Sequence, residues 1–286
     1  MKASHDVKAT MIENGDQFTD PFFSRFVLRH APQPLKLTDA VSKNYKFPTF
    51  YSDVTCAIGI FMCDYEKARK VLPDPRLKPV RMTKGRALVA FSCYEYKNVM
   101  GVLPYNEVSM MIPVLFDAPV DLPVLPMLAG SKYPGFGYYV FHMPVTSKEN
   151  QIRGNKIWGL PKVTQDIDVR REGGDCVTTC FEDDGTPYFE LRVPTAGAPA
   201  HFDVGADVVS RLDQRWLLSR TSFKSDFTIN KYMGQLFKKG NAPDRKYLTI
   251  GDTPSARVLR DLDIEEHPFQ FRYSKSMNAA FDLPHP

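Results

Sequence analysis

Short apolar blocks and two-residue alternation dominate this chain, and few stretches carry the 3.6-residue period of a helix. Residues 51–62 (YSDVTCAIGIFM) are rich in β-branched and aromatic side chains and predict a strand. Residues 86–96, 105–116 and 138–145 predict three more. Residues 163–171 (VTQDIDVRR) alternate apolar and polar, as a half-buried strand does. Residues 175–182 and 188–193 flank Asp183-Asp184-Gly185, which predicts a hairpin turn. The strand pattern continues over 215–223, 247–250, 259–267 and the aromatic 269–273. Helix signals are confined to 65–72, capped by Asp64 and stopped by Pro73 and Pro75, to 203–212, and to a short turn at 276–281. Residues 1–48 are polar and irregular and read as an arm that wraps a body; a proline-rich crossing covers 119–134. The expected architecture is mainly β (α+β). An arm over 1–48 precedes a single, mostly antiparallel barrel or sheet over 49–286, with a few short helices.

Composition narrows the function classes. The 286 residues carry a net charge of +4, with the basic residues scattered, which argues against a nucleic-acid partner. No basic-apolar-small leader opens the chain, so no signal peptide is expected. The most apolar region, 110–128, is broken by Asp117, Asp121 and prolines, so no membrane helix is expected either. Five cysteines without a CxxC spacing (Cys56, Cys63, Cys93, Cys176, Cys180) read as reduced, buried thiols of a cytoplasmic protein. The six histidines lie far apart and form no ligand cluster, so neither a metal nor another cofactor is expected.

One segment carries candidate chemistry: Arg153-Gly154-Asn155-Lys156-Ile157-Trp158-Gly159-Leu160-Pro161-Lys162-Val163. It sets Lys162 behind a Gly-Leu-Pro turn and among Trp158, Leu160 and Val163. A lysine in apolar company tends to lose its proton, because desolvation disfavours the charged form. A neutral amine attacks carbonyls, which is how Schiff-base lysines work. The plainer reading is a loop lysine whose stem lies over an aromatic ring.

Two further stretches decide between these readings. Phe61-Met62-Cys63-Asp64 runs into Ala68-Arg69-Lys70-Val71-Leu72-Pro73-Asp74-Pro75, and Pro104-Tyr105-Asn106-Glu107-Val108 precedes Ile112-Pro113-Val114. Together with Gly154 to Lys162, in this order, they resemble the acetoacetate decarboxylase family. The resemblance runs from about Tyr51 to the C-terminus and is weak over the first fifty residues and after Gly185. It implies a cone-like β-barrel around an apolar cavity, a homo-oligomer, and imine chemistry on a small oxo acid or ketone. Acetoacetate decarboxylase is itself the established case of a lysine activated by its pocket. Lys162 falls on the lysine that condenses with the ketone, and Glu107 on the glutamate beside it. Alternation alone groups Tyr105, Glu107 and Ser109 against Asn106, Val108 and Met110, which turns Glu107 outward; the resemblance turns it inward.

Two departures bear on the substrate. The family's decarboxylases carry an arginine on the early strand, where this chain has Met62, and a second lysine where it has Val163. Arginine can hold a carboxylate through two parallel bonds and methionine cannot; Arg153, Lys156 and Arg86 are the replacements the sequence offers. Met62, Tyr105, Arg153, Trp158, Leu160 and Val163 are the expected substrate-binding set. The expected reaction is decarboxylation of a 3-oxo acid by a Schiff-base lyase. The competing readings are imine-based aldol or dehydration chemistry on a larger 2-oxo acid, and a barrel that binds small molecules without turnover.

Overall fold

The computed structural model describes residues 1–118 and 120–285, with Ser131 described by its main chain alone. Pro119, part of the expected crossing, and Pro286 lie outside the described residues. Four strands open the body: β1 (Thr49–Asp64), β2 (Arg86–Val99), β3 (Tyr105–Phe116) and β4 (Phe136–Val145), with helix α1 (Tyr65–Val71) after β1. Helix α2 (Lys148–Trp158) and the short β5 (Lys162–Thr164) follow. Next come β6 (Ile167–Glu172), β7 (Asp175–Phe181) and β8 (Pro187–Pro194), and then the long hairpin of β9 (Ala198–Leu212) and β10 (Arg215–Lys231). Strand β11 (Leu248–Ile250), helix α3 (Arg257–Asp261) and β12 (Pro268–Phe281) complete the chain.

Seven strands close into a barrel in the order β4-β9-β10-β12-β1-β2-β3 and back to β4. Closure gives every wall strand a neighbour on both sides. Seven is an odd number, so strand directions cannot alternate all the way round, and one neighbouring pair has to run parallel. That pair is β4 and β9, joined at Tyr138↔Val208 and Tyr139↔Val209. The barrel is therefore mixed, antiparallel everywhere except at this seam.

A second sheet, β6-β7-β8-β11, lies against the outside of the barrel. Val108, Met110 and Ile112 of β3 pack in one cluster with Phe189, Leu191 and Val193 of β8. Strand β3 is thus buried on both faces.

Three local expectations are corrected. Residues 203–212 are strand, paired residue for residue with β10 from Ala198↔Ile229 to Leu212↔Arg215. Cross-strand pairing overrides the weak helical period of a Val-rich segment. Residues 276–281 continue β12, and 259–267, expected to be extended, hold the end of α3 and the turn that leads into β12. Helix α2, which the sequence reading passed over, has ordinary signals. The Ser147 side chain caps it by accepting from Asn150 N, and Gly159 ends it in the left-handed region at φ 61°. The arm packs onto this helix, with Lys43 Nζ donating to both Glu149 oxygens at 2.9 Å. No described helix is long and apolar enough to cross a membrane.

Candidate active site

Lys162 occupies the barrel seam. Strand β3 pairs with β4 along one edge, from Leu115↔Phe136 to Glu107↔Val145. The other edge of β4 meets β9 only at Tyr138 and Tyr139, and β5 takes over beyond them, with Lys162↔Met143 and Thr164↔Val145. The lysine therefore enters the wall where β9 has parted from β4.

Glycine positions make this possible. A Cβ on Gly159 would lie 2.3 Å from Arg211 O, so the helix end can approach β9 only without a side chain. A Cβ on Gly154 would lie 2.3 Å from Lys162 Cδ, so the lysine stem runs through the space this glycine leaves in α2.

At the end of that stem, Lys162 Nζ donates to Glu107 Oε2 at 2.6 Å, with the residues 7% and 2% exposed. Tyr96 OH donates to the other oxygen, Oε1, at 3.2 Å. Tyr96 stacks on Tyr94 at 5.2 Å and packs against Tyr51 and Tyr105 at 4.7 and 4.8 Å. Burial pushes the Tyr51 phenol up to about 12, with the Glu107 carboxylate adding to the rise. Tyr94, Tyr96 and Tyr105 move well up for the same first reason, burial. These hydroxyls stay protonated at neutral pH, and Tyr96 is the one that donates to the carboxylate.

The pair faces a lumen cavity of about 160 Å³, room for several waters and so for a small organic acid. Tyr94, Tyr96, Val140, Met143, Leu160 and Phe281 supply much of its wall. Glu107 faces inward, contrary to the period argument. Alternation does separate Glu107 and Ser109 from Val108 and Met110, but the apolar side of β3 lies under the second sheet and the polar side under the lumen. With both faces buried, period no longer distinguishes inside from outside.

Of the expected substrate-binding set, only Leu160 reaches the cavity wall. Met62 continues the inward face of β1 beyond Ile60, but it packs with Val80, Met82 and Leu88 in the plug at that end. Trp158 stacks on Phe281 at 4.8 Å and donates its indole N–H to Asp282 O at 2.8 Å, one layer behind the wall. Val163 alternates away from Lys162 and is half-buried. Tyr105 is buried with its ring 5.8 Å from Lys162 Nζ, but does not line the cavity. Arg153 donates to Asn150 Oδ1 and Thr49 Oγ1, both at 3.0 Å, and lies over the Tyr45 ring at 4.3 Å. Lys156 Nζ donates to Lys36 O on the arm, and Arg86 is paired with Glu265. None of these three cations reaches the cavity wall.

The sequence reading missed Arg272, the second cation on the wall, and two hydroxyls, Ser92 and Ser109. Alternation within the final strand (Gln270, Arg272, Ser274) was the available signal. It gave no reason to prefer the inward face for an arginine.

The described residues thus form a β-barrel closed around a buried lysine–carboxylate pair and a small cavity. The chain belongs to the acetoacetate decarboxylase family, whose model, acetoacetate decarboxylase (ADC), matches residues 32–210. No curated protein matches it in sequence. Among solved structures it is similar to acetoacetate decarboxylase from Legionella pneumophila subsp. pneumophila str. Philadelphia 1. That likeness is 14% identical, covers 97% of each chain and has a TM-score of 0.58. The enduracididine biosynthesis enzyme MppR complexed with pyruvate is also similar, at 14% identity over 86% of this chain and 93% of that one, TM-score 0.55. A further acetoacetate decarboxylase structure is 16% identical over 83% and 87%, with a TM-score of 0.53. At these identities the likenesses establish the fold.

Proposed function

We propose that this protein is a Schiff-base lyase, in which Lys162 condenses with the carbonyl of a small oxo acid. The first-choice reaction is decarboxylation of a 3-oxo acid. The observation that carries this reading is the 2.6 Å contact between Lys162 Nζ and Glu107 Oε2 inside the barrel. Transfer of one ammonium proton to Glu107 leaves an amine that adds to the substrate carbonyl. The resulting carbinolamine takes that proton back on its hydroxyl and loses water, giving a protonated imine. Its positive nitrogen accepts the electron pair of the breaking bond to the carboxyl carbon, so carbon dioxide leaves and an enamine remains. Glu107, having returned its first proton at dehydration, takes up one more from solvent, which is the proton that decarboxylation consumes, and passes it to the enamine carbon; water then releases the ketone and the lysine.

A second reading is favoured by two observations. Met62 stands in the plug where the family's decarboxylases carry an arginine, and the similar MppR is complexed with pyruvate. It keeps the imine and uses the enamine of a 2-oxo acid for aldol or dehydration chemistry.

The exposed apolar side chains of the crossing, Val120, Leu122, Leu125 and Leu128, support a homo-oligomer. Five buried, unbridged cysteines fit a reducing compartment, as expected of a cytoplasmic enzyme.

Borohydride reduction in acetoacetate or pyruvate, followed by peptide mass analysis, tests the reading. The expected result is a reduced adduct on Lys162 and none in Lys162→Ala. Absence of any adduct across small oxo acids and ketones favours a barrel that binds without turnover. Release of carbon dioxide, against a condensed or dehydrated acid, separates the two imine readings.

A further inference from the structure

We propose that Arg272 binds the substrate carboxylate, doing from the last barrel strand what Met62 cannot do from the first. This rests on the imine reading above, because it assigns the other end of the same substrate.

Three charged side chains line the cavity: Lys162, Glu107 and Arg272. The first two answer one another at 2.6 Å. Arg272 has no such partner. Among the described residues no carboxylate lies within 4.0 Å of it, and its only side-chain hydrogen bond to them runs from Nε to Gln270 Oε1 at 2.8 Å. The guanidinium packs over the Phe202 ring at 5.3 Å, and its two terminal nitrogens have no protein acceptor. Burial depresses its basicity below the usual arginine value, which is the mark of a cation short of solvation. A half-buried cation without a counter-charge is only partly solvated, and a bound anion relieves that cost. A carboxylate is the anion whose two oxygens match the fork of two N–H donors.

Strand register gives the direction from the lysine to this anion site. Glu107 lies in the inward row Ser274↔Cys56↔Tyr94↔Glu107. Arg272 lies in the next inward row toward the Met62 plug, Arg272↔Ile58↔Ser92↔Ser109. Two residues along a strand is about 7 Å. Around the ring, β12 is three strands from β3 one way and four the other. Arg272 therefore faces the lysine pair from the opposite wall. Ser92 and Ser109, which share its row and line the same cavity, place two hydroxyls near the anion in an otherwise apolar stretch. The substrate class that fits is an oxo acid lying across the lumen, carbonyl at Lys162 and carboxylate at Arg272. Residue 272 falls outside the span matched by the family model, 32–210, so family membership does not assign it this role.

The test compares two stable carbonyl compounds of equal chain length, 4-oxopentanoate and 2-pentanone, as borohydride-trapped adducts of Lys162. In Arg272→Gln the concentration of 4-oxopentanoate for half-maximal trapping should rise roughly 10- to 100-fold, as for loss of a charged hydrogen-bonded partner. Trapping of 2-pentanone should not move. Equal change for both compounds, or none for either, overturns the proposal. Arg272→Lys keeps the charge and loses the fork, and should weaken 4-oxopentanoate selectively but less; it serves as the test variant should the glutamine form fail to fold. A wild-type protein that traps neither compound rejects the imine reading instead. In that case thermal melting with pentanoate, which has no carbonyl, still reads the anion site. Stabilisation of wild type but not of the Arg272 variant supports the assignment, and equal behaviour overturns it.

Discussion

Glu107 Oε2 stands 2.6 Å from Lys162 Nζ across 55 positions of sequence, and both residues are almost wholly buried. Removing one member leaves the other as an uncompensated buried charge, at a cost of about 3–5 kcal/mol. Lys162→Met and Glu107→Gln should therefore each lower the urea midpoint clearly. The double variant should lose less than the sum, because it removes both charges. Additive losses would mean the two groups are solvated separately. In activity, Glu107→Gln should slow turnover roughly 10²- to 10⁴-fold, as for a lost general acid.

Gly154→Ala separates helix stability from site geometry. Alanine in a helix interior is ordinarily favoured over glycine by roughly 0.5–1 kcal/mol. Here its Cβ would lie 2.3 Å from Lys162 Cδ, so the lysine stem has to move. Adduct formation at Lys162 should fall at least tenfold while circular dichroism stays native. An unchanged trapping rate would show that the stem does not need this gap.

Alkaline stability follows from the tyrosines beside Glu107. Burial raises the Tyr51 phenol to about 12 in the folded chain, against about 10 in the unfolded one. The folded state therefore holds its proton over a range where the unfolded state has lost it. The stabilisation is complete below about pH 10 and is lost as pH rises through 12. Ultraviolet difference titration should show a group of tyrosines that ionise only with unfolding. Smooth titration of all thirteen near pH 10 in the folded protein would contradict this burial.

Leu125 and Leu128 of the crossing are 43% and 69% exposed, beside Val120 and Leu122. Static light scattering at micromolar concentration should give an oligomer, and Leu125→Lys with Leu128→Lys should shift it toward monomer. A wild-type monomer would exclude this surface as a stable interface.

The sequence alone determined most of the strands, because β-branched and aromatic runs such as 51–62 fit a pleated, buried surface in almost any setting. It also determined the order of three short motifs, and with them the lysine and the glutamate that the fold brings together. What it left to tertiary structure were facts about closure and faces. Parity of a seven-strand ring forces the parallel seam at β4 and β9, and no local window contains that count. Glu107 turns inward although its strand alternates in the usual way, because the second sheet buries the other side of β3. Trp158 and Arg153 sit one layer behind the cavity because α2 turns them toward Asp282 and Thr49, and a helix face is set by its neighbours, not by proximity to Lys162 in sequence. Arg272, 110 positions from Lys162 by number, reaches the same cavity only through a register across four barrel strands.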